Sequence, residues 1–200
     1  MKRGGGKRKG NEFERNVSRL LDTWWNVPDG TFWRSVNSGA WKEAADIAPR
    51  SANVEFPFVV ECKFYKNLNM LDLFKTNSKT HPFRVWWKKL LEDVQKARQK
   101  TSEIRIGIII FKYNNSPILV LFEGHIGEVT PETNGLPMPI RPRYDMQMVQ
   151  GYFGKENEFT TLIVMKFTDF CNYYSAPILK KMIPNTNGAM SNESNNHKDG

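Results

Sequence analysis

The stretch IRIGIIIF, Ile104 to Phe111, most narrows what this chain can become. A strand with one wet face alternates apolar and polar residues. A near-continuous β-branched run instead fits a central strand covered on both faces. YNNSP supplies turn chemistry after it, and ILVLF returns as a neighbouring strand. Upstream, NEFERNVSRLLDTWW places Phe13, Val17, Leu20, Leu21 and Trp24 on one helical face. Asn11 stands where an N-cap belongs, and NVPDG ends the helix. FRVWWKKLLEDVQKARQK reads as a second amphipathic helix, with Val85, Trp86, Leu90, Val94 and Ala97 as its stripe. Between the helices lie a short strand in TFWRSV, a loop or hairpin in NSGAWKEAA, a very short strand in DIAP stopped by Pro49, and an apolar strand in FPFVVECKFY. Lys66 to Pro82 is irregular and polar. The order α, β, β, β, α, β, β gives an α/β fold class, a mixed central β-sheet flanked by helices.

From Gly124 the pattern weakens. VTPETNGLPMPIRPRY is Pro-rich and loop-like, EFTTLIVMKFTDF is a strand, and FCNYYSAPILKKMI suits a short helix. The terminal NTNGAMSNESNNHKDG is polar and without aromatic residues, as in disordered segments. The expected organisation is a flexible basic arm over 1–10, a core over 11–123, a C-terminal extension packed on the core over 124–184, and a disordered tail over 185–200.

Charge bounds the partners. The net charge is +8, and Lys2, Arg3, Lys7, Arg8 and Lys9 supply five of those charges within ten residues that hold no acid. Such an arm fits a polyanion, most often nucleic acid, or a solubilising tail. The two cysteines, Cys62 and Cys171, and three scattered histidines form neither a disulfide framework nor a zinc pattern. No apolar run reaches the length of a membrane span, and no apolar segment follows the basic start, so a cytoplasmic location without membrane contact is expected.

In FVVECKFY, Glu61 and Lys63 are two residues apart on an extended strand, so they leave the same face. Phe58, Val60, Cys62 and Phe64 take the other face, toward the core. Asp46 begins DIAP, and Glu14 lies on the first helix. An Asp followed by Glu-x-Lys after an apolar run suits metal-dependent phosphodiester cleavage. Two carboxylates offer Mg²⁺ hard oxygen ligands, and the Cys62 backbone carbonyl is a further candidate ligand. The lysine can position water and stabilise developing charge. By itself the pattern also fits an ordinary Glu–Lys pair at a strand end.

Taken in order, RKGNEFERNVSRLL, FWRSVNSGAWKEAADIAP and FVVECKFY resemble the archaeal Holliday-junction resolvases and their phage-encoded relatives, within the PD-(D/E)XK nuclease superfamily. The likeness runs from Arg8 to Tyr65. It implies a restriction-endonuclease-like fold, Mg²⁺ with Mn²⁺ able to substitute, branched DNA as partner, a homodimer, and the host cytoplasm if the chain is phage-encoded. It makes Glu14 the helix-one acid completing the metal site, Asp46 and Glu61 the principal metal ligands, Lys63 the catalytic lysine, and Ser38 the catalytic serine, with Ser35 the other alignment. Arg15 and Arg34 match phosphate-contacting arginines, and the arm with Lys7, Arg8 and Lys9 matches a junction-contacting segment. About the last 80 residues have no counterpart in the archaeal members. Lys112, at a strand end, is either a DNA contact or a solvated turn lysine. Gln95 fits a surface residue better than an active-site glutamine. Trp41 is a candidate DNA or partner contact, whereas Trp24, Trp25, Trp86 and Trp87 suit the core. Arg141 and Arg143 lie in a loop that binds phosphate or merely connects. The competing functions are a restriction-type or flap- or end-processing nuclease of the same fold, and a non-catalytic DNA-binding accessory protein.

Overall fold

The computed structural model describes residues 5–35, 45–69, 81–101, 105–125, 135–137, 147–152 and 159–182. Its elements are α1 (Gly5–Trp25), β1 (Phe32–Arg34), β2 (Ile47–Pro49), β3 (Phe58–Tyr65), α2 (Pro82–Thr101), β4 (Ile106–Tyr113), β5 (Leu119–His125), β6 (Leu136–Pro137), β7 (Gln147–Tyr152), β8 (Phe159–Lys166), α3 (Phe167–Tyr173) and α4 (Ala176–Met182). The strands form one mixed sheet in the order β1-β2-β3-β4-β5-β8-β7, with β6 paired to β5. β3 and β4 are parallel along their whole length, Phe58 opposite Ile106 through Tyr65 opposite Tyr113. A parallel pair needs a crossover, and α2 provides it. β1, β2, β5, β8 and β7 join antiparallel.

The continuous apolar runs of β3 and β4 are covered on both faces. Phe58, Val60, Cys62, Ile106, Ile108 and Ile110 pack with Phe13, Val17, Leu21 and Trp24 of α1. Val59, Ile109 and Phe111 pack with Phe83, Trp87, Leu90 and Val94 of α2. Strand alternation thus feeds two cores, one under each helix. α2 comes close because β4 carries glycine at its contact: a Cβ on Gly107 would stand 2.8 Å from Leu90 Cδ2 and 3.1 Å from Val94 Cγ2. At the start of α2, Pro82 takes the first helical position, and His81 Nδ1 accepts a hydrogen bond from the Phe83 N–H at 3.2 Å.

β1 is fixed by a buried acid. Asp22, near the end of α1, accepts hydrogen bonds from the N–H groups of Gly30 (2.8 Å) and Phe32 (2.7 Å). The intervening turn uses left-handed backbone at Asn26 and Gly30. All four helical tryptophans are buried, and Trp24 and Trp25 each spend their indole N–H on a backbone carbonyl, of Tyr174 and Glu55.

Several sequence expectations change. Residues 5–10 of the expected arm are helical, so α1 starts at Gly5 and Asn11 lies inside it. Glycine costs about 1 kcal/mol per helical position, so propensity does not explain this extension; Lys9 lying 6.0 Å from the Phe64 ring is a tertiary contact that accompanies it. On α2, Val85 is 55% exposed and Trp87 is fully buried. The buried stripe comprises Phe83, Trp86, Trp87, Leu90 and Val94, and Val85 lies on the far side of the helix from it. The strand expected through FTDF stops at Lys166, and Phe167 opens α3. β7 had no periodic signal; it is ordered by its ladder with β8. The far end of the chain is therefore partly continuous with the sheet, because β8 pairs directly with β5. Trp41, Arg141, Arg143 and the tail over 185–200 lie outside the described residues. Among the described residues no helix is long and apolar enough to cross a membrane.

The close approach at Gly107 is testable. Gly107→Ala should lower unfolding stability by about 1–3 kcal/mol, since the added methyl overpacks a filled core. Chemical denaturation checks this, with unchanged stability the contrary result.

Candidate active site

β3 delivers the chemistry. Val59, before Glu61 on the same strand face, is packed under α2, so Glu61 and Lys63 also leave on the α2 side. The carboxylate of Glu61 is nearly enclosed, with the residue 2% exposed. An enclosed carboxylate needs partners. Lys63 Nζ donates to Glu61 Oε1, and so does Lys89 Nζ of α2, at 2.9 Å.

Asp46 is placed by the short β2. Ile47 pairs with Val60, and the Asp46 N–H donates to the Val60 carbonyl at 2.8 Å. Its own carbonyl accepts from the Ser35 N–H at 2.8 Å. Asp46 is thus tied by its backbone to both β3 and the end of β1. Its Oδ2 accepts the Cys62 N–H at 2.8 Å, closing the edge of β3 just beyond the short β2 pairing. Among the described residues, no lysine or arginine pairs with this carboxylate.

The two acids respond differently to this setting. Burial, and then the charge of Glu61, push the Asp46 pKa up to about 6; the Cys62 N–H and Lys63 oppose them, and Glu14 adds to the rise. Burial also works to raise Glu61, but the hydrogen bonds and charges of Lys63 and Lys89 outweigh it and hold Glu61 below the ordinary glutamate range. Lys89 is resisted by burial, yet its bond to Glu61 raises its pKa. The Cys62 thiol is pushed well above its usual value by burial and then by Asp46, Glu14 and Glu61, so it stays a neutral core group.

Glu14 sits within electrostatic reach of Asp46 and Cys62, but its carboxylate pairs with Arg34 Nε. Glu14, Arg34, Asp46, Glu61, Cys62 and Lys63 are therefore gathered in one region, with Arg34 spent on an internal ion pair. Among the described residues, no three His, Cys, Asp or Glu groups are close enough to cage a metal. Lys7, Arg8, Lys9 and Arg15 are exposed along α1. Lys112 pairs in register with Phe64 and, by the alternation of Ile106, Ile108 and Ile110, lies on the α1 face, away from Glu61. Gln95 is exposed on α2. Ser38 lies outside the described residues, and Ser35 reaches Asp46 through its backbone.

Lys89 is the site residue that sequence reasoning missed. It sits next to buried Leu90, at the border of the helix stripe, and its side chain is 58% exposed. Its meaning depends on α2 crossing over the face from which Glu61 leaves. No local pattern carries that information.

The raised pKa of Asp46 has a consequence for stability. Its folded pKa exceeds the unfolded value near 3.8. The folded chain thus binds a proton more readily, and stability falls as pH rises from about 4 to about 6. Asp46→Asn should stabilise the chelator-treated protein at pH 8 by about 1–2 kcal/mol after allowance for solvent screening. The gain should vanish near pH 4. Thermal melts at both pH values check it, and a variant no more stable than wild type at pH 8 contradicts it.

Comparison with curated proteins and with solved structures finds no match. A family model described as "Phage putative PDDEXK endonuclease" matches residues 5–180, from the start of α1 into α4. PD-(D/E)XK nucleases typically depend on a divalent metal ion. The mixed sheet flanked by helices agrees with a restriction-endonuclease-like fold. With Asp46, Glu61 and Lys63 standing at the edge and face of β3, and the match covering most of its length, this chain belongs to the phage PD-(D/E)XK endonuclease family.

Proposed function

We propose that the chain is a Mg²⁺-dependent, structure-selective DNA endonuclease that works as a homodimer on four-way junctions. The observation that carries the reading is the Asp46–Glu61 pair beside Lys63, with Asp46 lacking a cationic partner among the described residues. A half-buried carboxylate pushed up to about 6 by desolvation, and then by the charge of a second carboxylate, is a place short of positive charge, which a divalent cation would supply. In a strand, the N–H and C=O of one residue point to the same neighbour. The Cys62 carbonyl therefore leaves β3 on the Asp46 side, where it can join Asp46 and Glu61 as an oxygen donor. Glu14 can add a further oxygen to the set, with its Oε2 paired to Arg34.

When bound, the cation supplies Lewis-acid polarisation of the phosphate and a lower pKa for water. Lys63 brings donors and positive charge to the oxygens where charge develops, and holds the attacking water in line. Lys89 shares the load on Glu61, so the carboxylate can be relinquished by one lysine without standing unpaired. Arg34, if released from Glu14, is available to a phosphate, and the exposed Lys7, Arg8, Lys9 and Arg15 give α1 a sequence-independent grip on the backbone. A junction has two-fold symmetry, and paired cuts call for two sites related by a two-fold axis.

Purified protein in Mg²⁺ should cut a synthetic four-way junction at symmetric positions, in preference to linear duplex, flap or single strand. Mn²⁺ should substitute. Asp46→Asn and Lys63→Ala should each lose at least about 100-fold in rate, while junction affinity stays within about threefold of wild type. Full cleavage by either variant, or equal cleavage of linear duplex, would sink the assignment.

A further inference from the structure

Trp33 and Arg50 stand apart from the site described above. Trp33 is 51% exposed, the centre of the short edge strand β1. The Arg50 guanidinium lies over its ring, 4.0 Å from the centroid. An indole left in water on an edge strand, with a guanidinium over its ring, calls for a partner. The ladder fixes where the pair faces. Phe32 and Ile47 are buried in the core under α1. Trp33, opposite Ala48, therefore leaves the sheet on the other side, the side of Val59 and Glu61. The Arg50 N–H donates to the Thr31 carbonyl at 2.9 Å and extends the ladder by one residue, so Arg50 follows Ala48 on that same side. Among the described elements, α2 packs over β3 and β4, and no helix packs on this side of β1 and β2.

Strand spacing puts Trp33 two strands over and one side-chain step from Glu61, on the order of 12 Å between backbone positions. That is roughly three or four base steps at about 3.4 Å each. A polyanion cut beside Glu61 would pass over this surface. Arginine stacked on an aromatic ring keeps its outward N–H groups free and its plane fixed, which is the arrangement that recognises phosphate oxygens.

We propose that Arg50 binds a backbone phosphate of the DNA flanking the cleavage position, with Trp33 as the residue that positions its guanidinium. The proposal rests on the nuclease reading of the neighbouring site and names a subsite for its substrate. In the Asp46→Asn chain, where cleavage is blocked, affinity for a labelled junction and for linear duplex is measured by anisotropy across a salt series. Arg50→Ala should weaken both about tenfold and lower the slope of log K against log salt by about one. Trp33→Ala should weaken binding about threefold with the slope unchanged, and Trp33→Phe should restore most of it. Both side chains are exposed, so thermal melts should match the parent chain. Unchanged affinity and slope in Arg50→Ala overturn the proposal. So does a shift from dimer to monomer in Trp33→Ala without loss of affinity, which would assign the edge to a second copy. If wild type cuts no DNA while Arg50→Ala still binds less tightly with the smaller slope, the subsite stands and the nuclease reading falls. If wild type cuts and Arg50→Ala binds normally, the reverse holds.

Discussion

The structure depends on burying a carboxylate. β3 and β4 are apolar on both faces, and pairing them in parallel requires a crossover helix packed against one face. Glu61 lies on that same face, so it cannot reach open water as a surface acid would. Burying it unpaired would cost several kcal/mol; Lys63 from its own strand and Lys89 from the covering helix remove most of that cost. Gly107 is part of the same arrangement, because it sets how close α2 comes to the sheet. The stability of the central sheet and the charge state of the site are thus one problem, solved by one helix.

Asp46 shows the other side of that solution. Among the described residues it is held in place by backbone bonds to β1 and β3 and by the Cys62 N–H, with no cation paired to it. Its carboxylate is stiffly positioned and electrostatically unsatisfied, which suits a ligand better than a structural residue. The contrast between two neighbouring acids, one held low and one pushed up, separates roles that their sequence motif leaves equivalent.

Much of this was legible in the residues. The i, i+4 stripe on α1, the continuous run of β4 and the parity of Glu61 against Cys62 are local patterns, and local patterns survive folding. Lys89 was hidden because its partner lies 28 residues away across a parallel crossover. Glu14 and Arg34 each stood out in the sequence as candidates, yet their mutual ion pair did not, since it joins a helix to an edge strand. β7 was missed because its order comes from β8, and Val85 alone was misplaced in the α2 stripe, in a helix start where Phe83, Trp86 and Trp87 take the buried face. Trp33 looked like any strand residue until the ladder fixed its face.

The central claim is that Asp46 and Glu61 form a divalent-metal site. Titrating Mn²⁺ into the protein without DNA, and following loss of the free-ion magnetic resonance signal, tests it directly. Wild type should bind Mn²⁺ saturably, and Asp46→Asn and Glu61→Gln should each weaken that binding at least about tenfold, with Mg²⁺ competing for it. Binding that survives both substitutions unchanged would contradict the account.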